Sequence, residues 1–314
     1  MSIMASVFSA CGSAEIQMPF SDYVISDDNN VGSFSKSAAL TSGFAGPLAT
    51  FTDDYTDKYN LENAGAGLLV DVNSKQVLFA QNAFEQMYPA SLTKIMTAYL
   101  ALKYCSLDEK ITVTDGVYGI SDPTAVKLGL NPGDTLTMDQ ALHLCLIPSN
   151  NDVAVAIACH ISGTEEAFCE LMNEEALKLG ATSTHFTDSC GLGSDEHFTS
   201  VYDLYLIFSK ALEYREFAEI INCKDYQTTY YNKKDEPVSV SCKSTNMYFN
   251  DMINLPENVN IIGGKTGTTT EAGYCLMLYV KDNYSNPYIA VILDSNDRDS
   301  LYLQMTELLN CITN

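Results

Sequence analysis

Tryptophan is absent from the 314-residue chain, and arginine is nearly so, with only Arg215 and Arg298. Against 40 aspartates and glutamates stand 17 lysines and arginines, a formal charge of −23. So acidic a chain repels a phosphate backbone, which argues against nucleic acid as a partner. The acid keeps the protein soluble, and it makes any cation in a ligand site conspicuous. No run of 18 or more apolar residues occurs, so no helix is expected to cross a membrane. There is no CxxC pair and no Cys/His spacing suited to zinc, and His143, His160, His185 and His197 form no metal signature. Cysteine itself is plentiful, at 10. Cys145, Cys159, Cys169 and Cys275 sit inside apolar runs, where a thiol behaves as a small hydrophobe. They read as reduced core residues rather than as a disulfide framework.

The opening, MSIMASVFSACGSA (1–14), resembles the end of a signal peptide without its positive region. Phe8-Ser9-Ala10-Cys11 loosely matches a lipoprotein cleavage box, which makes Cys11 a candidate lipid anchor. Residues 15–60 are polar with little periodicity and read as a poorly ordered lead-in, with order from near Ala64 in a domain over 61–314. GLLVDV (67–72) and KQVLFA (75–80) read as a hairpin about Asn73-Ser74. Apolar residues recur at helical spacing from Leu92 to Tyr104. Further helices are expected over 137–147, stopped by Pro148; from Asn151 to Ile161, capped by Asn150 or Asn151; over 163–180, closed by Gly180; and over 200–213. GYCLMLYV (273–280) and PYIAVIL (287–293) read as strands, and DSLYLQMTELLNCI (299–312) as a closing helix. Strands at both ends with helices between them predict an α/β (α+β) fold, a sheet made from both ends that carries an inserted helical domain.

Three short motifs carry chemistry. In Ser91-Leu92-Thr93-Lys94 a lysine follows a serine by one helical turn, so its amine can stand beside the hydroxyl. A serine hydroxyl needs such a base, and lysine serves only when burial or a second cation lowers its pKa. Ile95 and Met96 fit burial, and Lys265 fits the second cation. Taken alone, Ser91 also reads as a helix cap. Ser33-Phe34-Ser35-Lys36 repeats the spacing, but in the polar lead-in, where nothing aligns or desolvates it. Ser149-Asn150-Asn151 follows Pro148 at a helix junction. There a hydroxyl can relay a proton, and an amide can hold a substrate amide by donor and acceptor together. Ser244-Thr245-Asn246 is a rival copy and reads as a turn. Lys265-Thr266-Gly267-Thr268 is extended, with Thr266 and Thr268 on one side, and suits an edge that binds a peptide and its terminal carboxylate. His197 borders this region but reads as structural, as do Asp203 and Asp294.

In this order and spacing, 58 residues from Ser91 to Ser149 and 116 from there to Lys265, the motifs resemble those of the penicillin-binding protein and serine β-lactamase superfamily. PASLTKIMTAYLAL, PSNNDVAVAIA and GGKTGTTTEAGYCL narrow the resemblance to the low-molecular-mass D-alanyl-D-alanine carboxypeptidases (peptidase family S11), over about Ala64 to Ile312. The resemblance implies a β-lactamase/transpeptidase-like fold, an antiparallel sheet with flanking helices. It implies Ser91 as nucleophile, Lys94 as its base and Ser149 as proton relay. Asn151 would hold the substrate amide, and Lys265, Thr266, Gly267 and Thr268 would form the carboxylate-binding strand. It implies a peptidoglycan pentapeptide as substrate, β-lactam antibiotics as inhibitors, no metal or organic cofactor, and a place on the outer face of the bacterial cytoplasmic membrane. Two departures stand out: Asp188-Ser189-Cys190-Gly191-Leu192 where relatives read NPxGL, and Asn150 where glycine is common. Many of the class carry a further β domain and amphipathic tail for membrane attachment; the candidate for attachment in this sequence is the N-terminus. The alternatives are a β-lactamase, a DD-endopeptidase and a non-catalytic wall-peptide binder. The first is disfavoured because no ExxLN occurs within 152–264.

Overall fold

A computed structural model of the chain describes residues 48–51, 54, 55, 59–192, 194–250, 253, 254, 256, 257 and 259–312. Cys11 and Ser33–Lys36 lie outside the described residues. The expected hairpin is present as β1 (Ala64–Asp71) and β2 (Val77–Gln81), with Leu69 opposite Phe79. From the other end of the chain come β7 (Val259–Thr269), β8 (Gly273–Asp282) and β9 (Pro287–Ser295). Together they form one antiparallel sheet of order β2-β1-β9-β8-β7. Strand β7, which carries the KTG motif, is therefore an edge.

Strand β8 shows why the apolar runs are continuous. Leu276, Leu278 and Val280 pack outward on α7 (Arg298–Leu309), beside Leu301, Met305 and Leu308. Cys275 and Met277 face the helical domain. A strand covered on both faces has no solvated side to alternate toward, and each such apolar side chain contributes about 1.5–3 kcal/mol on burial.

Between the sheet's two halves lie α1 (Lys94–Tyr104), α2 (Met138–Leu146), α3 (Asn151–Ser162), α4 (Glu165–Leu179), α5 (Val201–Ala211) and α6 (Arg215–Ile221). Their ends follow the cap chemistry. Thr137 and Gln140 form a reciprocal capping box on α2. Ser200 caps α5 through the N–H of Asp203, and Gly180 closes α4 at φ +83. Asn150 occupies the N-cap position of α3 but makes no side-chain cap bond. Asp152, two residues on, accepts the N–H groups of Leu128, Gly129 and Leu130 and ties that loop to the helix.

Two expectations change. Order begins before Ala64: Ala49 is buried, Phe51 stacks on Phe84 at 5.0 Å, and Tyr55 pairs with Ala80 on the edge of β2. A few aromatic anchors do this without any period to announce them. A second, four-stranded sheet of order β3-β4-β5-β6 also appears, built from β3 (Lys110–Thr112), β4 (Thr135–Thr137), β5 (Asp225–Tyr231) and β6 (Pro237–Lys243). Its strands are short or largely exposed, so they lack apolar runs. Cys145, Cys159, Cys169 and Cys275 are buried and form no disulfide.

Candidate active site

Ser91 lies in a single 3-10 turn, Ala90–Thr93, that runs straight into α1. The turn is tighter than the expected α-helix. Three residues per turn eclipse positions i and i+3, and Lys94 Nζ stands 2.9 Å from Ser91 Oγ. Lys94 is fully buried and donates to Asn151 Oδ1 at 2.5 Å and to the Cys190 carbonyl at 2.7 Å. Burial pushes its pKa below the ordinary lysine value; Asp188 and Asp152 pull the other way without reversing this. A neutral amine at that distance can accept a serine proton.

The second motif enters from the α2–α3 junction. After Pro148, Ser149 adopts φ +70, a left-handed conformation that a residue with a β-carbon avoids. This turn aims Ser149 Oγ at Lys265 Nζ, 2.8 Å away, and starts α3 so that Asn151 reaches Lys94. Lys265 also donates to the carbonyl of Thr266 at 2.8 Å. Its pKa is driven well below the usual value, first by burial and second by the charge of Lys94. The charge effect thus runs from Lys94 onto Lys265, whereas the sequence suggested Lys265 as the cation acting on Lys94.

The third motif closes the cleft from the sheet edge. Thr266 and Thr268 line one cavity of about 300 Å³ together with Ser91 and Ser149. Gly267 allows this approach: a β-carbon there would stand 3.0 Å from the Ser91 nitrogen and 3.1 Å from the Pro89 carbonyl. All eight sequence-selected residues therefore converge on one crevice. Among the cavity's other lining residues, Thr245 and Arg298 were not selected from the sequence. Thr245 belongs to the rival Ser244-Thr245-Asn246, which is a turn, with Asn246 accepting the N–H of Tyr248; yet Thr245 Oγ1 lies 2.5 Å from Thr266 Oγ1. Arg298, at the start of α7, lines the same cavity and lies 5.9 Å from the centre of the Tyr274 ring. Its rarity in so acidic a chain was the available signal; nothing in the sequence pointed to Thr245. Beyond Ser91 the cleft continues past Asp122, Leu192 and Glu271. The departing Asp188–Leu192 loop supplies the Cys190 carbonyl to Lys94.

A family model described as D-alanyl-D-alanine carboxypeptidase, peptidase S11, matches residues 55–297. The chain belongs to that family. It is 31% identical over 252 residues to D-alanyl-D-alanine carboxypeptidase DacF of Bacillus subtilis (strain 168), an alignment that covers 79% of this chain and 61% of that relative. The chain thus spans about three-fifths of that relative's length. Among solved structures, the Streptomyces K15 DD-transpeptidase superposes with a TM-score of 0.73 at 26% identity, over 82% of this chain and 98% of that one. Penicillin-binding protein D2 from Listeria monocytogenes, in its cefotaxime-bound form, superposes at 0.66 and 27% identity, over 81% and 99%. The S11 fold is thus the β-lactamase/transpeptidase-like one expected, with its antiparallel sheet and inserted helices. Among the described residues, no helix is long and apolar enough to cross a membrane.

Proposed function

We propose that the protein is an exported serine D-alanyl-D-alanine carboxypeptidase that removes the terminal D-alanine of peptidoglycan stem pentapeptides through an acyl-enzyme on Ser91. The observation that carries this reading is the pairing of Ser91 Oγ with the buried Lys94 amine at 2.9 Å, across one cavity from Lys265 and Ser149. Neutral Lys94 takes the Ser91 proton as Oγ attacks the carbonyl between the two D-alanines. The resulting oxyanion is held by the N–H groups of Ser91 and Thr268, each such donor supplying about 3–4 kcal/mol. Ser149 relays to the departing amine the proton that Lys94 took from Ser91, so that Lys94 is neutral again. Water then attacks the ester, Lys94 acting as base again, and Ser91 regains its proton. Asn151 keeps Oδ1 on Lys94, which leaves its amide N–H₂ to donate to the substrate carbonyl. Lys265, Thr266 and Thr268, joined by Thr245 and Arg298, take the terminal carboxylate. A β-lactam mimics the dipeptide and acylates Ser91, in keeping with the cefotaxime-bound Listeria relative.

Incubation with a stem pentapeptide tests this directly. Free D-alanine in the supernatant and a stable fluorescent-penicillin adduct on Ser91 are expected. Rapid loss of the adduct would indicate a β-lactamase instead, cleavage of cross-linked dimers an endopeptidase, and absence of all turnover a binder.

A further inference from the structure

The turn that presents the nucleophile is held from behind by a buried relay. Ala90, immediately before Ser91, sits at φ +47, in the left-handed region. Its carbonyl accepts a hydrogen bond from Thr93 Oγ1 at 2.9 Å. That hydroxyl has one proton, so toward His197 Nε2, 2.8 Å away, it is the acceptor. At the far side of the ring, His197 Nδ1 accepts the N–H of Thr187 at 3.1 Å. The chain of donors therefore assigns a single neutral tautomer, with the proton on Nε2. Burial lowers the pKa of this imidazole and favours that neutral form, outweighing the Asp188 carboxylate, whose Oδ2 stands 3.6 Å from Nδ1 and pulls the other way. Ala90 is 2% exposed, Thr93 0% and His197 1%, so water does not substitute for any of these bonds. Gly191, at φ +88, packs over the same carbonyl; a β-carbon there would lie 1.8 Å from the Ala90 oxygen.

The peptide unit joining Ala90 to Ser91 is planar and trans, so its C=O and N–H point in opposite directions. Holding the Ala90 carbonyl inward against Thr93 turns the Ser91 N–H the other way, toward the side where β7 passes at Gly267. We infer that His197 is a positioning residue, which through Thr93 and the Ala90 carbonyl aims the Ser91 N–H at the oxyanion. The inference rests on the acyl-enzyme reading above. It goes further in giving a residue without a place in the three motifs control over the oxyanion pocket.

Stopped-flow acylation by a fluorescent penicillin, resolved into the encounter dissociation constant and the acylation rate constant, tests it. Thr93→Val keeps the shape and removes the hydroxyl; Thr93→Ser keeps the hydroxyl; His197→Ala and His197→Gln remove and partly restore the donor. Thr93→Val and His197→Ala are each expected to slow acylation about 10–100-fold, somewhat less than outright loss of an oxyanion donor, with the encounter constant within about twofold. Thr93→Ser should stay within about threefold of wild type, and the double variant Thr93→Val/His197→Ala should be no slower than the worse single one, since both cut the same chain. If His197→Ala fails to fold by thermal melting, the Thr93→Val and Thr93→Ser pair with His197→Gln decides. Wild-type acylation rates in folded Thr93→Val, or equal losses in Thr93→Ser and Thr93→Val, overturn the positioning role while wild-type labelling leaves the nucleophile assignment standing. A wild-type protein that penicillin does not label overturns both.

Discussion

At the scale of single residues, the proposed acyl-enzyme chemistry asks Lys94, whose pKa burial lowers, to activate the ordinary alcohol of Ser91. Ser91→Ala should abolish the penicillin adduct and lower D-alanine release by about 10⁴-fold or more, with an unchanged melting temperature. The acylation rate should rise with pH through the titration of Lys94, at a pH below 10.5, and a profile flat across that limb would count against a lysine base. The same shift has a stability signature. Below the folded pKa, both folded and unfolded chains carry the proton, and the cost of the buried charge is at its full value. Between the folded pKa and 10.5 only the unfolded chain binds it, so wild-type stability gains on a Lys94→Met variant by about 1.4 kcal/mol per pH unit as pH rises. Denaturant unfolding of the two proteins across that window measures the slope. The residue types and their spacing were legible in the sequence; that Ala90 and Ser149 hold left-handed backbone was not, because neither residue type announces it.

At the scale of elements, the site is a meeting of a helix start, a helix junction and a strand edge, and close backbone approach makes it possible. Gly191→Ala places a methyl group against the Ala90 carbonyl in a left-handed residue and should destabilise the fold by about 2–4 kcal/mol, seen as a lowered melting temperature. Thr245→Val removes a hydroxyl that reaches Thr266 across the cleft and should raise KM for pentapeptide about three- to tenfold with little change in kcat, as loss of a uniform binding contact does. Helices with clear periods and caps, such as α4 and α5, were readable in advance. Strands β5 and β6 were not, since every second residue is exposed and only one face, with Tyr226, Tyr230, Val238 and Val240, turns to the core, which leaves no apolar run.

At the scale of the whole molecule, a charge of −23 acts on an anionic peptide before any contact forms. Raising ionic strength from about 10 to 150 mM shortens the screening length from about 30 to 8 Å and should lower KM for pentapeptide by about twofold at constant kcat. A KM that rises with salt would mean that the local cations of the cleft dominate the far field. The amino-acid sequence by itself determined the chemistry available here: a serine with a lysine three residues on, a second serine and amide, and a KTG strand, set among periods that specify the helices and strands. Those are local properties, carried by neighbours along the chain. Only the tertiary structure decided that Lys265 meets Ser149, that Thr245 and Arg298 join the cleft, and that His197 stands behind the nucleophile turn. Each of these contacts joins segments at least 21 residues apart, and packing around the shared core sets their distances where no periodicity along the chain encodes them.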